Sequence, residues 1–172
     1  MRSGVPWGYA AQVLVSGGYT MAGSTVRFES DVVVRRPVGE VFARLADLPG
    51  YRSWMHRTGM FRRCSTTSDN PVGKGTTYVD ATRMGTFEGE VTEYDPPTRI
   101  AFSETLRWFG HPMTRARPEY FLEGRQDTTV VHHVAVGELS GWMRIVKPAA
   151  AVMANLERSR TLKSLQRSFE AE

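Results

Sequence analysis

Val26, Phe28, Ser30, Val32 and Val34 alternate with mostly polar neighbours, and this two-residue period predicts a half-buried strand. Pro37 follows where a first helical turn tolerates proline, and Val38, Val41, Phe42 and Leu45 recur at helical steps. Asp47-Leu48-Pro49-Gly50 breaks that short helix, and Tyr51 to Met55 reads as a second one. Six more strands are predicted near Thr58–Thr67, Thr76–Met84, Thr86–Tyr94, Arg99–Trp108, Met113–Leu122 and Thr128–Glu138. Turn chemistry separates them at Asp69-Asn70-Pro71, Gly85, Asp95-Pro96-Pro97, Gly110 with Pro112, and Gly124 to Asp127. Connections this short make the neighbours antiparallel. Between Leu139 and Glu172 the period lengthens to that of a helix. Trp142, Ile145, Ala149, Val152, Leu156, Ser159, Leu162, Leu165 and Phe169 share one stripe, with Arg144, Lys147, Ala151, Asn155, Arg158 and Arg167 opposite. Such a helix has to lay its apolar stripe on the sheet, the one large surface able to cover it. Pro148 predicts either a kink or a helix that starts there. A kink would loosen Trp142–Lys147.

The fold class is therefore α+β: a seven-stranded antiparallel sheet curved around one long C-terminal helix, with two short helices between strands one and two. Residues 25–172 form a single domain. Residues 1–24, Gly- and Ser-rich and almost uncharged, read as a disordered or poorly packed tail. Within it, Arg2 and the Ala10–Val15 run only faintly resemble a secretory signal, and Met21 is an alternative start.

Composition narrows the function. The net charge of +4 comes from scattered arginines, with lysine only at 74, 147 and 163, and no basic element interleaved with aromatics, so nucleic acid is not an expected partner. The single cysteine, Cys64, excludes an internal disulfide and a cysteine zinc cluster, fits a reducing cytoplasm, and reads as a packing residue. No apolar run approaches the ~20 residues of a membrane span. No metalloprotease, nucleophile-elbow, P-loop or dinucleotide motif occurs, and His132 and His133 point to opposite strand faces, so no metal and no cofactor are expected. The expected state is a monomer or weak homodimer.

The polar residues with potential chemistry lie on the last two strands. The alternating Val130–Val136 face predicts His132 inside, and a four-residue loop at Gly124–Asp127 would set Glu119 opposite it. A buried Glu–His pair could orient an imidazole as a general base; the simpler reading is mutual satisfaction of two buried polar groups. The same pairing sets Arg117 opposite Val134. Two readings of that strand stand: Arg117 inward, as an anchor for a carboxylate or enolate, or Arg115 and Arg117 in solvent with Ala116, Tyr120 and Leu122 inside. His132, Glu119 and Arg117 are thus the catalytic candidates. Glu104, which interrupts the stripe Ile100, Phe102, Leu106 and Trp108, and Asp80, beside Tyr78 and Thr82, read more simply as surface charges than as interior acids.

Several local sequences resemble one superfamily. Val32-Val33-Val34 leading to Pro37 and Val41-Phe42 is similar to its opening strand and helix, and Asp47-Leu48 with Trp54 to its second helix. Val72-Gly73-Lys74-Gly75-Thr76 resembles its "vGxGt" turn, and Gly89-Glu90-Val91 with Asp95-Pro96-Pro97 its "GxV…dPP" hairpin. Asp127-Thr128-Thr129-Val130 resembles the start of its last strand, and Leu162-Lys163-Ser164-Leu165 the end of its helix. The chain is accordingly similar, from Val26 to Glu172, to the helix-grip (SRPBCC) proteins: START lipid-transfer domains, birch-pollen-allergen-like proteins and bacterial polyketide cyclase/dehydrases. The resemblance implies a cavity between sheet and helix that holds a small hydrophobic molecule such as a lipid or polyketide. It also leaves open a cyclase, aromatase or dehydratase activity in that cavity, or a protein-interaction role. Trp54, Tyr78, Phe87, Phe102, Tyr120, Trp142 and Met153 would supply the wall, with Arg117 and His132 as polar ligand contacts; for each aromatic alone, core packing is the simpler reading.

Overall fold

The computed structural model describes residues 17–55, 61–66, 68, 71–82 and 85–170. Eight strands form one sheet in the order β1-β2-β8-β7-β6-β5-β4-β3, every pair antiparallel. In chain order they are β1 (Gly17–Ala22), β2 (Thr25–Val34), β3 (Phe61–Thr66), β4 (Thr77–Thr82), β5 (Gly85–Asp95), β6 (Arg99–Trp108), β7 (His111–Arg125) and β8 (Thr128–Leu139). Register shifts between Val91 and Glu93 and between Leu106 and Arg107 mark bulges that bend the middle strands.

The count of seven strands is corrected by β1. All six of its residues are exposed, so it joins β2 through the backbone and carries no alternation to read. Its presence also corrects the placement of the helices. The first and second strands are joined by a tight turn at Gly23–Ser24, and the helical link lies between β2 and β3. There only α1 (Val38–Ala46) is a helix of more than one turn; α2 (Tyr51–Trp54) is a single turn. The Pro37 carbonyl starts α1 by accepting from the amides of Glu40 and Val41, and Val41, Phe42, Leu45 and Ala46 face the core. The expected strand residues Thr58–Met60, Thr67 and Arg83–Met84, the tail up to residue 16 and the Cys64 side chain lie outside what is described.

A 3₁₀ turn at Gly141–Arg144 leads into α3 (Lys147–Glu170), so Pro148 stands in the first turn, where its missing N–H costs nothing. Both ends of α3 are tied to the sheet side. Lys147 Nζ donates to the Gly23 carbonyl at 2.6 Å. Gln166 donates to the Val33 carbonyl, Arg36 donates to the Phe169 carbonyl, and Arg44 lies 4.4 Å from the Phe169 ring centroid.

The expected stripe of α3 meets the sheet only in its second half, at Leu162, Leu165 and Phe169; over the first half another face turns inward. Ala151, Leu162, Leu165 and Phe169 are buried, whereas Ile145, Val152, Met153 and Leu156 are exposed. Two apolar clusters result. One joins α1, α2, Val32, Val34, Ile100, Phe102, Val131, Leu162 and Leu165; the other joins Val26, Phe28, Leu106, Met113, Ala135, Leu139, Met143 and Ala151.

Candidate functional site

The hollow follows from side-chain size. One cross-strand row runs Tyr78, Gly89, Glu104, Ala116, Gly137 through successive pairings of β4 to β8. Facing it, the first half of α3 presents Ala150, Ala151 and Ala154. Where small residues meet small residues, sheet and helix held at both ends cannot close, and a cavity of about 310 Å³ remains. Val26, Phe28, Leu106, Trp142 and Met153 complete its apolar wall. A second, deeper chamber of about 120 Å³ is lined by Tyr78, Phe102, Glu104, Tyr120, His133 and their neighbours. Phe87, Ala154 and Arg158 belong to both chambers, so the two adjoin. The β6–β7 ladder is interrupted beside the deep chamber, between the Ala101–Glu119 and Glu104–Ala116 pairs, where Pro118 brings no N–H.

The deep chamber carries polar groups because one layer of the core is polar. Along β6, β8 and α3 the order is the same: Leu106, Glu104, Phe102; Ala135, His133, Val131; Ala151, Arg158, Leu162. In each, a charged or titratable residue separates the two apolar clusters. Tyr78 donates its hydroxyl to Glu104 Oε1 at 2.6 Å. It can reach across β5 only because position 89 is glycine: a Cβ there would stand 2.2 Å from the phenol ring. On the other side Tyr120 pairs with His133 and the rings stack at 4.3 Å between centroids.

His133 is held at both nitrogens. Nδ1 lies 3.1 Å from the Glu119 carbonyl and so donates to it, which leaves Nε2 as the acceptor for Arg158 Nη1 at 3.0 Å. Burial, then the Arg158 charge, lowers its pKa to about 3, so the imidazole is neutral at physiological pH. Burial raises Glu104 above the usual carboxylate range, against the opposing pull of the Tyr78 hydroxyl and of Arg158. Tyr120 is pushed up to about 12 by burial, and Tyr78 well above its ordinary value by burial and the Glu104 charge.

The structure reverses the orientation expected for β8, and of the two readings of β7 it has the one with Arg115 and Arg117 exposed and Ala116 and Leu122 buried. His133, not His132, faces the cavity; His132 is on the outer face, 2.5 Å from Asp31 Oδ1. Glu119 sits opposite Val134 and its carboxylate takes Arg99, with Nε at 2.6 Å, on the same outer side. Arg117 is exposed and pairs with Val136, so no Glu119–His132 pair or inward Arg117 exists. The turn explains the change of partners: Gln126, at φ 54, and Asp127 alone connect Arg125 to Thr128. Among the wall candidates Tyr78, Phe87, Phe102 and Tyr120 line the deep chamber, while Trp142 and Met153 line the outer one and are about half exposed. Trp54 is a core residue packed edge-on against Tyr51, away from either chamber. Glu104 and Asp80, read as surface charges, line the deep chamber, and Arg158, assigned to the solvent side of the helix, lies between the chambers. Among the described residues no three His, Cys, Asp or Glu side chains converge on one point, and no helix is long and apolar enough to cross a membrane.

Residues 25–170 match the model of a family described as polyketide cyclase / dehydrase and lipid transport. The chain belongs to this family. Among curated proteins none matches it in sequence. Solved structures share the family's fold with it. A START superfamily protein from Mycobacterium smegmatis superposes with a TM-score of 0.64 at 12% identity, over 90% of this chain and 99% of the other. CalU16 from Micromonospora echinospora gives 0.55 at 15% identity, over 93% and 90%. DynU16, from the dynemicin biosynthetic locus, gives 0.59 at 19% identity; 87% of this chain spans about half (48%) of that one. What these likenesses share is the fold, a curved antiparallel sheet packed on the last helix.

Proposed function

We propose that this polyketide cyclase/dehydrase-family protein binds, and as a carrier delivers, a small hydrophobic molecule of the lipid or polyketide class in the cavity between sheet and α3. The observation that carries the reading is the pairing of small residues across the cavity: Gly89, Ala116 and Gly137 on the sheet against Ala150, Ala151 and Ala154 on the helix. Apolar surface buried there gains about 25 cal/mol per Å² before ordering costs, so a ligand burying roughly 200 Å² gains about 5 kcal/mol. Together with its deep polar chamber, the cavity has the composition usual for ligand sites, a mostly apolar wall with a few convergent polar groups.

Binding is favoured over catalysis by the state of the interior groups. A general base works best with a pKa near the operating pH. His133 has been driven to about 3 and its free nitrogen is occupied by Arg158, while both phenols hold their protons more firmly than usual. The test is native mass spectrometry of protein purified from its source organism, wild type beside Ala154→Trp. The expected result is a bound small hydrophobic molecule in the wild type, lost in the variant, with both folded by circular dichroism. Equal retention in both, or none in either together with no thermal stabilisation across a lipid and polyketide panel, contradicts the reading.

A further inference from the structure

Arg158 is a cation set between the two chambers, and it carries more donors than the protein uses. One nitrogen, Nη1, donates to His133 Nε2, and the guanidinium lies 5.4 Å from the Phe28 ring centroid. Among the described residues no carboxylate lies within 4.0 Å of it. Glu104, an acid of the deep chamber, acts on it through space and is itself engaged by Tyr78. An arginine has five N–H donors, and a half-buried cation left without an anion costs free energy that a bound anion would recover.

The surroundings fix where that anion would lie. His133, clamped by the Glu119 carbonyl and stacked on Tyr120, can only accept from Arg158, so it aims the guanidinium and does not compete with it for an anion. Beyond Arg158 the outer chamber's wall is apolar apart from Thr114, from Ala154 and Ala151 to Trp142 and Leu139. We propose that the ligand is an amphiphile with an apolar body in the outer chamber and a terminal carboxylate bound by Arg158, with His133 as the positioning residue. This rests on the cavity being a ligand site, and it names the chemistry of the guest.

The test compares decanoate, 1-decanol and methyl decanoate by isothermal titration against the full chain, wild type and Arg158→Met. Methionine keeps most of the apolar stem and removes the charge. The expected result is at least tenfold tighter binding of decanoate than of either neutral probe by the wild type, about 1.4 kcal/mol at 25 °C. Arg158→Met abolishes that preference, decanoate then binding no tighter than 1-decanol, and His133→Gln, which preserves an acceptor for Arg158, retains most of it. Equal affinity of the wild type for all three probes overturns the carboxylate assignment and leaves the hydrophobic-carrier reading standing. So does a preference that survives Arg158→Met. Failure of the wild type to bind any of the three overturns both.

Discussion

His133 shows how a single residue reports on the site. Between pH 6.5 and about 3 the unfolded chain binds a proton at this imidazole and the folded one does not, so folded-state stability falls as pH drops through that window. From pH 6.5 to 5 the loss is about 2 kcal/mol, at 1.36 kcal/mol per unit. Glu104 acts in the opposite sense, since its raised pKa favours the folded state in acid, so total stability is a poor readout. Chemical denaturation of wild type and His133→Gln across pH 5 to 7.5 isolates the imidazole. The wild type should lose about 2 kcal/mol relative to the variant at the acid end, and parallel curves would show that His133 is not buried neutral. The sequence could not reveal which of two adjacent histidines turns inward. Both faces of β8 are apolar, and the outer one carries Val130, Val136 and, on β7, Phe121 beside His132. Parity along a strand is legible only when one face is polar.

At the scale of elements, the strands were readable from alternation and turn chemistry, because strands such as β2, β4 and β8 bury alternate residues. The partners across β7–β8 were not, because a two-residue turn replaced the four-residue loop and moved every partner by two positions. The helix was the harder case. Hydrophobic periodicity assumes that a helix buries its largest apolar residues, and over its first half α3 does the reverse, turning alanines and Arg158 inward and leaving Val152 and Leu156 half exposed. That inversion belongs to an element lining a space rather than filling one. Gly89 makes a matching prediction for the sheet. Gly89→Ala should destabilise by about 1–3 kcal/mol through overpacking against the Tyr78 ring, and the penalty should shrink in the Tyr78→Ala background. Equal penalties in both backgrounds, by thermal or urea unfolding, would mean that the Tyr78 ring does not cross β5 at position 89.

The whole molecule is a sheet holding one helix at its two ends, with the middle left open. Lys147 on Gly23 and the Gln166, Arg36 and Arg44 contacts fix the ends, two apolar clusters pack the flanks, and the polar layer of Glu104, His133 and Arg158 divides the hollow between them. Architecture of this kind was legible from the order of elements and from family likeness. The contents of the hollow were not, since they depend on which small residues of separate strands come to face those of α3. The most direct measurement is a methyl NMR titration of the wild type with 1-decanol. Saturable shifts should concentrate at the methyls of Ala116, Ala151, Ala154 and Leu106, with much smaller ones at Val33 on the outer face. Shifts confined to the outer face of the sheet, or spread evenly without saturation, would contradict a ligand cavity between sheet and helix.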